Sequence, residues 1–327
     1  MPRPSAVPPP VTSVLEAAGT WLPAGMTAVE ERLAELTAGH GAALAGDAGA
    51  TLAAGGKRLR PMLVLLCAGP GGGESAARAA TAVELVHMAT LVHDDVLDGA
   101  QLRRGEPTVA ARSGRRRAVA TGDLLFSRAF AELGANGGTR QVELLSSTSV
   151  GLALGELAQR RDAFDTDISA DRYLERCGLK TARLFECACL LGRAGKASGD
   201  EPELASFGAG IGLAFQLLDD VLDVTGPPQR TGKARGTDLL DGTVTLPLIF
   251  AREEDPSLAD VELRGLDEAG AESVCDGIAA TGALDRVRAL AREEVEDAKR
   301  ALDEAPLSRE ERELLRLVAD GVVERYS

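Results

Sequence analysis

Residues 75–98 read SAARAATAVELVHMATLVHDDVLD, and residues 203–223 read ELASFGAGIGLAFQLLDDVLD. Both stretches are apolar on nearly every side of a helical wheel, and a helix of that kind belongs in the middle of a bundle. Both end in the same five residues, Asp-Asp-Val-Leu-Asp. Outward from them, apolar residues recur at i, i+3, i+4 spacing from near Val11 almost to the C-terminus, in segments of roughly 15 to 28 residues. Turn-forming clusters separate these segments: Ala54-Gly55-Gly56, Gly69 to Gly73, Gly99 to Pro107, Gly134 to Gly138, Ala194 to Pro202, Gly226 to Gly242 and Asp255-Pro256. No stretch alternates with period two for long enough to predict a strand. The pattern predicts an all-α fold: a single-domain helical bundle over residues 11–327, after a disordered Pro-rich tail at 1–10. Gly208-Ala209-Gly210-Ile211-Gly212 lies inside the helical pattern, so it predicts close helix packing and not a nucleotide loop.

The two aspartate clusters carry the chemistry. At about 100° per residue, Asp94 and Asp98 lie about 40° apart, so Asp94, Asp95 and Asp98 share one arc at a helix end. Asp219, Asp220 and Asp223 repeat the arrangement. Like charges at i, i+4 destabilise a helix, and carboxylates at its C-terminal end oppose the macrodipole. Two buried helices built this way need cations to compensate. Carboxylate oxygens suit a hard cation, and Mg²⁺ takes one or two of them, keeps waters and completes its shell with substrate phosphates. The D-x-D-x-D-G spacing of an EF-hand is absent. Two carboxylate walls facing each other would hold a diphosphate through bridging Mg²⁺.

The chain is acidic, with 36 Lys and Arg against 50 Asp and Glu and a net charge of −14. That excess argues against nucleic acid as a partner and makes local basic clusters stand out. Lys57, Arg58 and Arg60 lie in a loop before a helix, and Arg103-Arg104 follow the first Asp cluster. Lys180-Thr181 lie mid-helix, and Lys233 follows the second cluster. Basic residues flanking metal-binding carboxylates point to a polyanionic ligand. Aromatic residues make up 3%, and the Ala- and Leu-rich remainder favours helix over strand. Cys67, Cys177, Cys187, Cys189 and Cys275 are odd in number and lack CxxC spacing. They read as small core residues in a reducing cytosol. No apolar run of about 18 residues predicts a transmembrane segment, and the N-terminus lacks a signal-peptide core. The expected location is cytoplasmic.

At this point the sequence resembles the trans-prenyltransferases, or polyprenyl diphosphate synthases. GGKRLRP (55–61), LVHDDVLDGAQLRRGEPT (91–108), GELAQ (155–159), KTARLFECA (180–188), FQLLDDVLD (215–223) and GKARGTDLLDGTVTLP (232–247) occur in that family's order. The resemblance covers nearly the whole chain after about residue 50. It implies an isoprenoid-synthase-type bundle around a deep central cavity, assembled as a homodimer, with three Mg²⁺ per active site when substrate is bound. It further implies that Asp94, Asp98 and Asp219 bind the metal, with Asp95, Asp220 and Asp223 in support and Asp223 itself a candidate ligand. Lys57, Arg60, His87 and Arg104 are expected to hold isopentenyl diphosphate. Arg103, Lys180 and Lys233 are expected to grip the allylic prenyl diphosphate, Thr181 and Gln216 to line the reacting centre, and Asp238 to support Lys233 or a metal-bound water. One departure is visible: Thr243 stands where many members carry a second Lys, and Arg230 or Arg235 is expected to compensate.

The implied reaction ionises an allylic C–O bond, adds the homoallylic double bond to the resulting cation, and loses a proton. No side-chain nucleophile is required, and the released diphosphate is the base. Beside the first Asp helix, Ala89 and Thr90 lie one turn above Asp94, with Val86, Val83, Ala82 and Ala79 beyond them. None is aromatic. At about 5.4 Å per turn the tunnel is expected to admit a product of about C30–C45. A floor at Phe126 or Phe130 on the next helix would instead stop growth at C20, geranylgeranyl diphosphate. A class I terpene cyclase leaves GGKRLRP unexplained, and a non-catalytic subunit would tend to lose the Asp clusters.

Overall fold

The computed structural model describes residues 9–39, 41–194, 201–226 and 235–324. Three N-terminal helices, α1 (Pro9–Ala17), α2 (Trp21–Ala38) and α3 (Gly41–Ala53), lead into α4 (Leu59–Ala68) and α5 (Gly73–Leu97). A two-residue ribbon of β1 (Leu102–Arg103) and β2 (Glu106–Pro107) precedes α6 (Val109–Ser113), α7 (Arg115–Ala135) and α8 (Thr139–Arg161). Next come α9 (Ala170–Cys177), a π-helical turn (Gly178–Ala182) and α10 (Arg183–Arg193), with no break in the helical backbone between them. The order then runs α11 (Pro202–Thr225), α12 (Thr237–Leu240), α13 (Leu246–Glu254), α14 (Pro256–Ala259), α15 (Glu268–Ala280), α16 (Ala283–Glu304) and α17 (Arg309–Glu324).

The two apolar stretches are the central helices. α5 packs along α7, and α11 along α16, in the most extensive helix pairings of the fold. Ala79, Ala82, Val83, Leu85, Val86 and Ala89 of α5 are all fully buried, as expected of a helix enclosed on most sides. Pro202 starts α11, where its missing N–H is no loss. α11 is also long and apolar enough to cross a bilayer, which the sequence reading did not expect. However, 61% of its apolar window is buried inside the bundle, and it ends in three aspartates, as a core helix of this fold does.

Two local features differ from the sequence reading. The stretch after Gly99 forms a ribbon, with Leu102 opposite Pro107 and Arg103 opposite Glu106. Arg104 and Gly105 both have positive φ (55° and 81°), the backbone of a two-residue hairpin turn. Lys180 and Thr181 sit in a π-helical turn and not in regular α-helix. Such turns widen a helix by one residue and cluster at functional sites. Helix α1 begins at Pro9, inside the stretch read as a tail; residues 1–8 lie outside the described residues, as do Arg230 and Lys233.

Candidate active site

A cavity of about 530 Å³ opens between the central helices. α5 gives it His87, Thr90, Leu91, Asp94 and Leu97, a stripe at i, i+3, i+4 and i+7 spacing, with His93 at its edge. α11 contributes Phe215, Gln216 and Asp219, and the π turn contributes Lys180 and Thr181. α4 adds Arg60, α7 adds Phe126, and α8 adds Leu152, Glu156 and Leu157 among others. Charged groups gather at the aspartate end, and the remaining wall is largely apolar.

The first aspartate cluster divides its labour. Asp94 faces the cavity; burial, with Glu156 and Asp98 nearby, outweighs the pull of Lys180 and raises its carboxyl to about 6. Asp95 is buried and turned to the other side of α5, where Arg103 holds it through Nε and NH2, both at 2.7 Å. Asp98 caps α5 and pairs with Arg160. Arg160 also donates to Glu156 at 2.8 Å, and Glu156 receives Lys180 Nζ at 2.5 Å. Burial alone would raise the Glu156 carboxyl, but Lys180 and Arg160 prevail and hold it below the usual range.

The second cluster is arranged differently. Asp219 is exposed at the cavity. Asp220 is buried and accepts from the Tyr173 hydroxyl and from Gln216 Nε2 at 2.7 Å. Burial and the charge of Asp238 push its carboxyl well above the ordinary range, against those two donors. Asp223 accepts the backbone N–H of Asp238 at 3.2 Å, tying the start of α12 to the end of α11. Gln216 Oε1 accepts from the Thr181 hydroxyl at 2.8 Å. Two glycines let the π turn come this close. A Cβ on Gly155 would lie 2.6 Å from Lys180 N, and one on Gly212 would lie 2.7 Å from Ala182 Cα. The packing role expected for the glycines within α11 is therefore what is found.

The basic residues of the first loop divide in the same way. Arg58 adopts positive φ (50°) and binds Glu30 and buried Glu84, each at 2.6 Å, which anchors the loop. Lys57 and Arg60 are left to the site side, stacked over Phe215 (4.9 Å) and Phe185 (4.3 Å). Cation–π contacts of this kind hold a charge in place without neutralising it. Arg60 Nε is buried with no hydrogen-bond partner among the described residues, and burial pulls its guanidinium down to about 10. Burial, then Arg60, holds the His87 imidazole well below its usual range, so it is neutral at pH 7. Arg104 reaches the backbone carbonyl of Gly55. A buried guanidinium with an unsatisfied N–H, beside other cations and opposite carboxylates, fits an anionic ligand that brings metal ions with it.

Among the described residues no three His, Cys, Asp or Glu side chains form a ready-made metal cage. Carboxylates set on separate helices suit a hard cation that completes its shell with phosphate oxygens. Residues 43–273 match the model of the polyprenyl synthetase family. The chain belongs to the polyprenyl synthetase family. It is 39% identical over 312 residues to heptaprenyl diphosphate synthase component 2 of Geobacillus stearothermophilus, covering 93% of this chain and 97% of that one. To octaprenyl diphosphate synthase of Escherichia coli it is 36% identical over 261 residues, 77% of this chain and 81% of that one. Its fold superposes on polyprenyl synthase from Caulobacter crescentus, solved with calcium and isoprenyl diphosphate, with a TM-score of 0.88 and 34% identity. That match covers 95% of this chain and 98% of the other. Family membership makes this chain a prenyltransferase of isoprenyl diphosphates that depends on a divalent metal.

The cavity brings together Arg60, His87, Asp94, Lys180, Thr181, Gln216 and Asp219. It does not bring in Asp95 or Asp220, which are occupied by Arg103 and by Tyr173 and Gln216, and Lys57, Asp98, Arg103, Arg104, Asp223 and Asp238 lie outside its lining. Of the residues expected to set product length, Thr90 and Phe126 line the cavity, whereas Val86 and Ala89 are fully buried away from it. Phe130 packs against the core. Arg235 does not stand in for a lysine at Thr243, because it is bound to Asp276 (2.6 Å) and to the Val224 carbonyl. Sequence reasoning missed Glu156, Arg160, Tyr173, Phe185 and Phe215. Glu156, Phe185 and Phe215 lie inside the motifs GELAQ, KTARLFECA and FQLLDDVLD; Arg160 and Tyr173 meet the site through contacts distant in sequence.

Proposed function

We propose that this chain is a Mg²⁺-dependent polyprenyl diphosphate synthase. It joins isopentenyl diphosphate to an allylic diphosphate head to tail, 1'-4, and gives an all-trans product of about C30–C45, judged at about one isoprene per helical turn. The observation that carries this reading is the cavity itself. Carboxylates of two helices stand at one mouth, Arg60 with an unsatisfied N–H and Lys180 stand beside them, and an apolar wall runs inward. Three Mg²⁺, held by Asp94, Asp98, Asp219 and Asp223, would supply positive charge that stabilises the departing diphosphate. Arg103 and Lys180 (with Lys233) grip the allylic diphosphate, while Lys57, Arg60, His87 and Arg104 hold isopentenyl diphosphate; Asp238 supports the second cluster. As the allylic C–O bond breaks, its electron pair leaves with the diphosphate and the carbon becomes cationic. The isopentenyl double bond then attacks that carbon, and a proton is lost to give the new allylic diphosphate. Leu91, Leu152 and Phe215 keep water from the cation.

The relatives named heptaprenyl and octaprenyl synthase support the longer product, and so does the absence of Phe, Tyr and Trp from α5. Phe126 in the cavity wall supports a C20 stop. Mass spectrometry of products from farnesyl diphosphate, isopentenyl diphosphate and Mg²⁺ separates the two. Thr90→Phe is expected to shorten the product by at least one C5 unit, and Phe126→Ala to lengthen it. Unchanged lengths in both variants would remove these residues from the tunnel.

The chain acts as one all-α domain in the cytoplasm, as a homodimer. α8 supports the dimer, presenting Val150, Leu154 and Leu157 at 58%, 52% and 65% exposure on one face. An apolar stripe of this kind marks an interaction surface. A monomeric mass in solution would remove that assignment. A different second subunit remains a reading for that face, since the Geobacillus relative is named as a component.

A further inference from the structure

Tyr173 sits on α9, about two helical turns before Lys180, and is fully buried. It does not line the cavity. Its hydroxyl nevertheless begins a chain of hydrogen bonds that ends there. Tyr173 donates to Asp220 Oδ2, Gln216 Nε2 donates to Asp220 Oδ1 at 2.7 Å, and the Thr181 hydroxyl donates to Gln216 Oε1 at 2.8 Å. Gln216 and Thr181 both face the cavity.

The order of donors decides what the reacting carbon meets. Gln216 turns its NH₂ toward Asp220 Oδ1 and its carbonyl toward Thr181. The Thr181 proton is thereby committed to Gln216, and the hydroxyl presents lone pairs to the cavity. With the amide reversed, Gln216 would offer an N–H to Thr181, and the Thr181 proton would be free to point at the substrate. A fixed lone pair stabilises a developing cation, whereas a proton in that place opposes it. Asp220 enforces the amide orientation, and Tyr173 holds the other oxygen of Asp220.

We propose that Tyr173 is a positioning residue for the condensation: by holding Asp220, it fixes Gln216 and Thr181 so that oxygen lone pairs face the carbon that becomes cationic. This rests on the synthase reading above. The π turn supports it, since it places Thr181 opposite Gln216 from a neighbouring helix. Phenylalanine at 173 would keep the ring and its packing and leave Asp220 Oδ2 short of a donor.

The test uses the full chain with Mg²⁺, farnesyl diphosphate and isopentenyl diphosphate. Tyr173→Phe is expected to lower kcat about tenfold or more while KM for either substrate changes less than about twofold. Thr181→Val should lose activity, and Thr181→Ser, which keeps the hydroxyl, should retain most of it. In the Thr181→Val background, adding Tyr173→Phe should cost less than about twofold further, because the two act on one unit. Unchanged kcat in Tyr173→Phe overturns the proposal, and so does an equal loss in both backgrounds. If melting shows that Tyr173→Phe does not fold, the threonine pair decides, and equal activity of Thr181→Val and Thr181→Ser overturns it. If the parent chain consumes no isopentenyl diphosphate, the synthase reading falls, a result distinct from an active parent with an indifferent Tyr173→Phe.

Discussion

The ends of α5 and α11 spell the same five residues, Asp-Asp-Val-Leu-Asp, yet their middle aspartates are held in opposite ways. At the end of α5 the flanking charge is met by arginines, with Asp95 on Arg103 and Asp98 on Arg160. At the end of α11 Asp220 is met by neutral donors, Tyr173 and Gln216. Ion pairing leaves the first end close to neutral overall. Neutral donors bring no positive charge to the second, and burial and Asp238 push the Asp220 carboxyl well above the ordinary range. The aspartates that face the cavity, Asp94 and Asp219, are what the two ends share. A repeated motif therefore fixes a repeated cavity-facing carboxylate, while the neighbours decide how each copy is supported.

The sharpest way to break this comparison is to remove the shared part. Asp94→Ala and Asp219→Ala should each lower kcat by about 10²–10³ or more, and near-normal turnover of either at saturating Mg²⁺ would refute a symmetric pair of metal walls. Removing the support of the first end tests stability, beside the part in substrate binding proposed for Arg103. Arg103→Ala leaves Asp95 buried without its cation and should cost about 3 kcal/mol in denaturant unfolding; a loss under about 1 kcal/mol would mean that Asp95 finds another donor.

A smaller effect should appear with pH. Asp94, raised to about 6, must lose its proton before it ligates. Mg²⁺ affinity should therefore be full above about pH 7 and fall by up to about tenfold per unit below about pH 6. Calorimetric titrations at two pH values would detect this, and a flat profile would contradict the assignment. The smallest effect belongs to Arg160, whose pair with Asp98 is partly exposed. Arg160→Ala should change stability by under about 1 kcal/mol, and a loss as large as that of Arg103→Ala would erase the contrast between a buried and an exposed pair.

Much of the site is legible in the amino-acid sequence. The buried character of α5 and α11, the aspartates at their ends and the basic motifs are local patterns, and the helical period converts them directly into faces. The stripe His87, Leu91, Asp94 follows from that period alone. Ala89 shows the limit of such reading. It lies within a turn of Thr90, but a step of about 100° turns it from the cavity into the packing against other helices. The π turn at Lys180 is not legible in the same way, because the motif KTARLFECA reads as regular helix until α8 and α11 press against it at Gly155 and Gly212.

The sequence by itself determined the helical class, the two central helices, the carboxylate pair and the diphosphate-binding chemistry, because each depends on composition or on spacing within about two helical turns. Only the tertiary structure decided which aspartate faces the cavity, which basic residue of GGKRLRP serves as an anchor, that Glu156 lines the cavity, and that Tyr173 is hydrogen-bonded to a residue beside it. Tyr173 meets Asp220 across 47 residues, and Arg160 meets Asp98 across 62. Contacts of that separation are fixed by how whole helices pack, and no local pattern encodes them.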